Sequence, residues 1–254
     1  MIRVCVVGAA GRMGSETVRA IANADDVELV QAIDNSAEGQ AILGVTVEGV
    51  FPYPLKNFDV IVEFTHAESA TDHAVKAAES GISPVIGASG LDANQQERVS
   101  AACRASGIGG ILVPNFAIGA VLMMRFASEA AKWLPNVEVI EMHHDKKQDA
   151  PSGTAIRTAE LISQARTTAR NNDPTQVMKY TGARGSLVAD VPVHSVRLPG
   201  LVAHQLVVFG GEGELLSLRH DSMNRTSFMP GVLLAIRKVR SLSGFVVGLD
   251  AVMD

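Results

Sequence analysis

Between positions 141 and 154 the chain reads Glu141-Met142-His143-His144-Asp145-Lys146-Lys147-Gln148-Asp149-Ala150-Pro151-Ser152-Gly153-Thr154. Two histidines and two lysines leave an apolar run and enter a polar stretch that Pro151 closes. A lysine supplies a proton or a fixed positive charge, and histidine titrates near neutral pH. Ser152, Gly153 and Thr154 fall in the first turn of the helical pattern that follows. Hydroxyls and bare N–H groups there make a site for an anion such as a substrate carboxylate. Three uses compete for this segment. Adjacent histidines alternate sides on a strand and no third ligand stands at a recognisable spacing, so a zinc site is disfavoured. The other two are a solvated charged loop and acid–base chemistry on a bound anion.

A second group is Gly8-Ala9-Ala10-Gly11-Arg12-Met13-Gly14, between an apolar run and a helical pattern. Glycines so spaced permit a sharp turn, close approach of a pyrophosphate, and tight packing of helix on strand. The helix start then offers N–H groups and a positive dipole end to the phosphates. Ala10 stands where the usual pattern has its middle glycine. A glycine turn alone is a weak sign. Here the preceding strand, the following helix and an acidic residue, Asp34, about twenty positions on agree on a nicotinamide dinucleotide. Asp34 ends the second strand, in reach of adenosine ribose hydroxyls; the alternative is a surface turn residue. Its charge disfavours a 2′-phosphate, Asn35 adds no positive neighbour, and Arg12 compensates only in part. NADH is therefore expected, with NADPH tolerated. Phe64-Thr65-His66 and Gly87-Ala88-Ser89-Gly90 lie where later strands end, either as contacts to the nicotinamide half or as plain loop.

The elements that position these groups alternate in the first third of the chain. Strands are expected at Ile2 to Val7, Val27 to Ile33, Asp59 to Phe64, Ser83 to Gly87 and Ile111 to Val113. Helices are expected at Met13 to Ala24, Thr71 to Ser80 and Asp92 to Ala105. This alternation implies right-handed βαβ units and a doubly wound parallel sheet of Rossmann type. After about Asn115 the texture changes. Helices from Ile118 to Trp133 and Gly153 to Ala169 flank a strand from Val137 to His143. Strand-like runs follow at Val191 to Arg197, Gln205 to Phe209 and Leu215 to Arg219. That is the pattern of an α+β domain on a mixed or antiparallel sheet. A helix from Pro230 to Leu242 is placed to pack back on the first domain. The expected division is 1–115, completed by the C-terminal helix 225–254, and 116–224 for substrate binding and oligomerisation.

At 254 residues, 47% of them apolar, the chain carries material for two packed domains. A formal charge of −5 argues against a nucleic-acid partner. No apolar run approaches the roughly 18 residues of a membrane span, and strand-like residues from the start leave no room for a signal peptide. A cytoplasmic protein is expected, with Cys5 and Cys103 as buried free thiols.

The chain resembles the 4-hydroxy-tetrahydrodipicolinate (dihydrodipicolinate) reductases of the bacterial diaminopimelate and lysine pathway. The resemblance rests on Gly8 to Gly14, on His143-His144 with Lys147, and on Asp149-Ala150-Pro151-Ser152-Gly153-Thr154-Ala155. It continues in Pro114-Asn115-Phe116, in His194-Ser195-Val196-Arg197 and from Phe209-Gly210 to Arg225. It implies that His143 and Lys147 are catalytic and that His144, Gly153, Thr154 and Ser152 contact a substrate carboxylate. Cofactor contacts are implied at Gly8 to Met13, at Asp34, from Gly87 through Ala88 to Ser89, and from Val113 to Phe116. Two departures stand out. The family usually has Gly-Thr-Thr-Gly at positions 87–90 and Ala-Asn-Phe-Ser at 114–117, which puts a hydroxyl contact at position 88 in doubt.

The implied reaction reduces a cyclic unsaturated dicarboxylate with NAD(P)H. Hydride goes to C4, and the enamine then takes a proton at C3 from Lys147, with His143 stabilising charge or exchanging protons with Lys147. No metal and no membrane are expected, and a homotetramer through the second domain's sheet is implied. Other dehydrogenases of amino or imino acids, a dinucleotide-sensing regulator and a purely structural Rossmann protein are the rivals. The His143 to Thr154 segment argues against each.

Overall fold

In Ile2–Val7, forming β1, only Arg3 interrupts the apolar run, and Val4, Cys5 and Val6 are fully buried, as a strand covered on both faces requires. The computed structural model describes residues 1–253 apart from 54, 56, 169–174 and 176. The chain divides into two units, Met1–Ile118 with Arg225–Asp254, and Gly119–Asn224.

In the first unit β1 leads through a glycine turn to α1 (Arg12–Ala22) and β2 (Val27–Ile33). A short hairpin follows, β3 (Ala41–Ile42) and β4 (Val45–Glu48), then β5 (Val60–Glu63), α2 (Ala67–Glu79), β6 (Ser83–Ile86), α3 (Ala93–Ser106) and β7 (Gly110–Leu112). The sheet order β13-β7-β6-β5-β1-β2-β4-β3 is completed by β13 (Phe245–Val247), which follows α6 (Met229–Lys238) in the C-terminal segment. Every pairing is parallel except β3 with β4. The chain winds outward in both directions from β1 and β5, so the crevice beyond their carboxyl ends is where this topology places a ligand.

Three details differ from the sequence expectation. The hairpin was not expected, because its turn residues are Leu43 and Gly44, both at positive φ (51° and 83°), and leucine is no usual signal for such a turn. Helix α2 starts at Ala67 rather than Thr71, since its first turn, Ala67-Glu68-Ser69-Ala70, carries no bulky apolar stripe. The C-terminal segment supplies an edge strand as well as a helix.

The second unit opens with α4 (Ile118–Ala131) and β8 (Asn136–His143), then α5 (Gly153–Ala165). Helix α5 ends four residues short of the expected Ala169, which itself lies outside the described residues. Strands β9 (Ser186–Val188), β10 (Val191–Arg197), β11 (Ala203–Gly211) and β12 (Glu214–Ser222) complete a sheet of order β12-β11-β8-β10-β9. It is mixed: β8 and β10 are parallel, and the remaining pairs are antiparallel. Small residues of the helices, Ala127 and Ala131 from α4 and Ala155 and Ala159 from α5, let them lie close on Val139, Val193, Val207 and Phe209. Burying a side chain such as Ile162 or Phe209 contributes about 1.5–3 kcal/mol each. On the other face of this sheet Ile140, Met142, Leu206 and Val208 remain only half-buried. Cys5 and Cys103 are both buried free thiols, and burial pushes each thiol up, Cys103 to about 11. No described helix is long and apolar enough to cross a membrane.

Candidate active site

A strand places alternate residues on one face, so β8 carries Glu141 and His143 on the same side as Val137 and Val139. Glu141 is thereby taken to 0% exposure, where a carboxylate needs partners. His143 Nδ1 lies 2.5 Å from its Oε2. Arg197 pairs in register with His143 across β10 and β8, and forks onto the same carboxylate. Its Nη1 donates to Oε2 at 2.9 Å and its Nη2 to Oε1 at 2.8 Å. Burial pushes the Glu141 carboxyl up, but the bonds from His143, Arg197 and Ser195 outweigh burial and hold it at about 2. Glu141 is thus an anion and an acceptor. His143 Nδ1 must carry the hydrogen, which leaves Nε2 to face a ligand.

The same arginine reaches the loop. Arg197 Nη2 also donates to the carbonyl of Asp149 at 2.7 Å, and Lys147 Nζ donates to both Asp149 oxygens at 2.7 and 2.8 Å. The Lys147 ammonium holds the Asp149 carboxyl below its ordinary value. His144 and Lys147 share a turn, with Lys147 N–H bonded to the His144 carbonyl at 3.2 Å. The loop ends in the cis Ala150–Pro151 bond, and Ser152 then caps α5 by accepting from Ala155 N–H at 3.2 Å. Ser152 is itself buried, at 3% exposure, while Gly153 is exposed and its N–H finds no acceptor among the described residues. A chain of bonds fastens this first turn to the sheet: Gln205 Nε2 to Thr158 Oγ1 and Thr158 Oγ1 to the Thr154 carbonyl, each 2.7 Å. The structure therefore brings His143, His144, Lys147, Ser152, Gly153 and Thr154 into one unit. Among the described residues no group of three or more His, Cys, Asp or Glu is arranged to hold a metal.

Sequence reasoning assigned no role to Glu141, Asp149 or Arg197, which hold the arrangement. Glu141 was open to detection, since it stands two residues before His143 on a strand. The match of Arg197 to Glu141 depends on strand order and carries no local sign.

In the first unit the glycines are needed sterically. Gly8 sits at φ +76°, and a Cβ on Gly14 would lie 2.0 Å from the Gly8 carbonyl oxygen. Gly11 N–H closes the turn on that oxygen at 3.0 Å. The N–H groups of Arg12, Met13 and Gly14 have no acceptor among the described residues, which suits a pyrophosphate. Ala9 is fully buried and Arg12 is exposed. Asp34 Oδ2 accepts from Ala10 N–H at 3.0 Å, and Oδ1 accepts from Ser36 N–H and Oγ at 2.9 and 2.6 Å. Burial raises the Asp34 carboxyl, but these bonds prevail and lower it. The carboxylate thus ties β2 to the glycine turn, and its two oxygens retain capacity for a ribose hydroxyl.

Farther along the sheet, Thr65 N–H donates to the fully buried Glu63 at 2.7 Å, and His73 Nδ1 lies 2.8 Å from the other oxygen. A Cβ on Gly87 would meet the Phe64 ring at 2.3 Å and the Phe116 ring at 2.8 Å, so three strand ends converge there. Phe64 and Phe116 meet edge to face at 6.0 Å. Val113, Ala88 and Ala117 are all buried, while Ser89 and Pro114 are exposed and Asn115 Oδ1 accepts from Ala117 N–H at 2.8 Å. An apolar side chain needs no partner at positions 88 and 117, where a hydroxyl would.

Removing one partner of a buried ion pair leaves an uncompensated charge, so Arg197→Leu is expected to cost roughly 3–5 kcal/mol in denaturant unfolding. Acid sensitivity gives a gentler check. Glu141 is depressed from the ordinary 4.5 to about 2 in the folded chain. Its contribution, about 3 kcal/mol at most, is complete above pH 4.5 and fades as pH falls through 2. Glu141→Gln should flatten acid unfolding across that window; an unchanged profile would refute the assignment.

Family models describing dihydrodipicolinate reductase match residues 2–116 for its N-terminus and 119–253 for its C-terminus. The 4-hydroxy-tetrahydrodipicolinate reductase of Desulfitobacterium hafniense is 44% identical over 100% of this chain and 99% of its own. That of Halalkalibacterium halodurans is also 44% identical, with both chains covered in full. A solved structure of dipicolinate-bound dihydrodipicolinate reductase from Paenisporosarcina sp. TG-14 superposes with a TM-score of 0.88 at 40% identity, covering 100% of each chain. Aspartate dehydrogenase from Thermotoga maritima, at 15% identity and a TM-score of 0.54, shares the fold alone. With both halves matched and the relatives covered end to end, this chain belongs to the dihydrodipicolinate reductase family.

Proposed function

We propose that this chain reduces 4-hydroxy-tetrahydrodipicolinate, by way of dihydrodipicolinate, to tetrahydrodipicolinate with NAD(P)H, acting in diaminopimelate and lysine biosynthesis in the cytoplasm. The observation that carries this reading is the Arg197 fork. It joins the Glu141–His143 pair to the loop holding Lys147 and leading into the α5 start. One loop then offers a lysine, an oriented imidazole and a helix N-terminus, which suits a cyclic substrate bearing carboxylates. The dipicolinate bound by the Paenisporosarcina relative is such a ring.

Bound NAD(P)H supplies a hydride to C4 of the conjugated ring. Gly8 to Met13 would cradle its pyrophosphate and Asp34 its ribose, with Thr65, Gly87 to Ser89 and Val113 to Phe116 along the nicotinamide half. Thr154, His144 and the N–H of Gly153 receive a substrate carboxylate, with Ser152 holding that turn in shape. Reduction leaves an enamine on the substrate, and Lys147 donates the proton that C3 takes up. Asp149 holds the lysine ammonium in place for that transfer. With hydrogen on both ring nitrogens, Nδ1–H toward Glu141, His143 stabilises developing negative charge through Nε2–H.

Lys147→Ala is expected to lower kcat by roughly 10²–10⁴ while leaving NADH affinity intact. Near-native turnover would remove Lys147 from the mechanism. The assay follows nicotinamide absorbance with the product of dihydrodipicolinate synthase as substrate.

Asp34 repels a 2′-phosphate, while Arg12, exposed and unengaged among the described residues, offsets this in part. NADH should therefore show the lower Michaelis constant with NADPH still accepted, and a strong NADPH preference would contradict the role of Asp34. The half-buried face bearing Ile140, Met142, Leu206 and Val208 supports a homotetramer built on the second unit's sheet. Sedimentation equilibrium should give four chains per particle, and a monomer would exclude it.

A further inference from the structure

Strands β10 and β11 lie on opposite sides of β8, β10 parallel to it and β11 antiparallel. Their connection, residues 198–202, must therefore cross the carboxyl end of β8, where His143 leaves the sheet for the Lys147 loop. This strap frames His143 from both sides. Leu198 N–H donates to the His143 carbonyl at 3.1 Å, and Ala203, the first residue after the strap, pairs with His143 in the β8–β11 ladder.

Little within the strap holds it. Pro199 has no N–H to give, Gly200 is exposed at φ +89°, and the bond from Leu201 N–H to the Leu198 carbonyl is long at 3.4 Å. The far end is secured by a side chain. Val202 N–H donates to His204 Nε2 at 3.1 Å. His204 Nδ1 lies 2.7 Å from Asp221 Oδ1 on β12, and Asp221 Oδ2 accepts from Arg219 Nε at 2.8 Å. An imidazole that accepts at Nε2 must carry its hydrogen on Nδ1, and Asp221 is the acceptor for it. The His204 side chain is only 10% exposed, whereas Asp221 at the outer end of the relay is 33% exposed.

We propose that His204 and Asp221 are positioning residues for the reduction. They pin the 198–202 strap, which sets the backbone of His143 and with it the place where Nε2 meets the substrate. Neither residue touches the reacting groups, and the inference rests on the functional reading given above.

Three variants separate the parts of the relay. His204→Gln keeps an acceptor where Nε2 stood, His204→Asn keeps only the donor toward Asp221, and His204→Leu loses both. Amide hydrogen exchange on the full-length protein reads Val202 directly. Protection of that amide should fall in the Asn and Leu variants and persist in the Gln variant. In the same series kcat should drop about 10- to 10²-fold for Asn and Leu, with the KM for NADH unchanged, and recover with Gln. Should His204→Leu fail to fold, His204→Asn carries the same comparison with His204→Gln. Retained Val202 protection in the Asn variant, or lost protection with unchanged kcat, overturns the proposal. A wild-type protein without turnover overturns the functional reading and this inference together. An active wild type with indifferent variants overturns the inference alone.

Discussion

A carboxylate sealed in a protein core is held only by partners that surround it, and Glu141 is the case on which this protein's second unit turns. Its negative charge fixes the hydrogen of His143 on Nδ1 and draws Arg197 into a fork. The arginine, so placed, takes the Asp149 carbonyl and thereby fixes the loop that bears Lys147. An apolar trio of the same volume would serve the core as well, but would orient nothing at the end of β8. The ion pair is therefore better understood as a geometric device than as a source of stability.

The first unit repeats part of this device for another purpose. Glu63, also fully buried, accepts from His73 Nδ1 and from Thr65 N–H. There the imidazole stacks on Phe51 at 4.0 Å, so one of its ring faces is covered. A buried glutamate–histidine pair thus recurs in both units. The difference lies in the third partner of each carboxylate, a guanidinium fork on Glu141 and a backbone N–H on Glu63.

The legibility of these arrangements follows the range of the forces involved. The parallel strands of the first unit could be read because residues such as Val4 to Val6 form runs that no solvated segment would carry. The glycine turn could be read because Gly8, Gly11 and Gly14 meet steric demands within seven residues of chain. The His143 to Thr154 segment was likewise local. The β3–β4 hairpin was hidden by Leu43 at its turn, and the start of α2 by a first turn of small residues. Arg197 escaped assignment because its meaning comes from a neighbouring strand 56 positions away from Glu141. The Val202–His204–Asp221 relay escaped for the same reason: strand pairing brings Asp221 to His204.

The edge strand β13 has a consequence for how the chain comes into being. It pairs with β7, and α6 just before it brings Gly231 so close to the Phe116 carbonyl that a Cβ would lie 2.0 Å from it. Both arrive only after residues 119–224 have been made. On the ribosome the first-born sheet must therefore wait, one edge bare and one helix missing, while the whole second unit emerges as an insertion within it. Exposed sheet edges invite mispairing, and domains tend to fold as they emerge. The inserted unit is free to finish first, and the dinucleotide domain, begun earliest, is completed last.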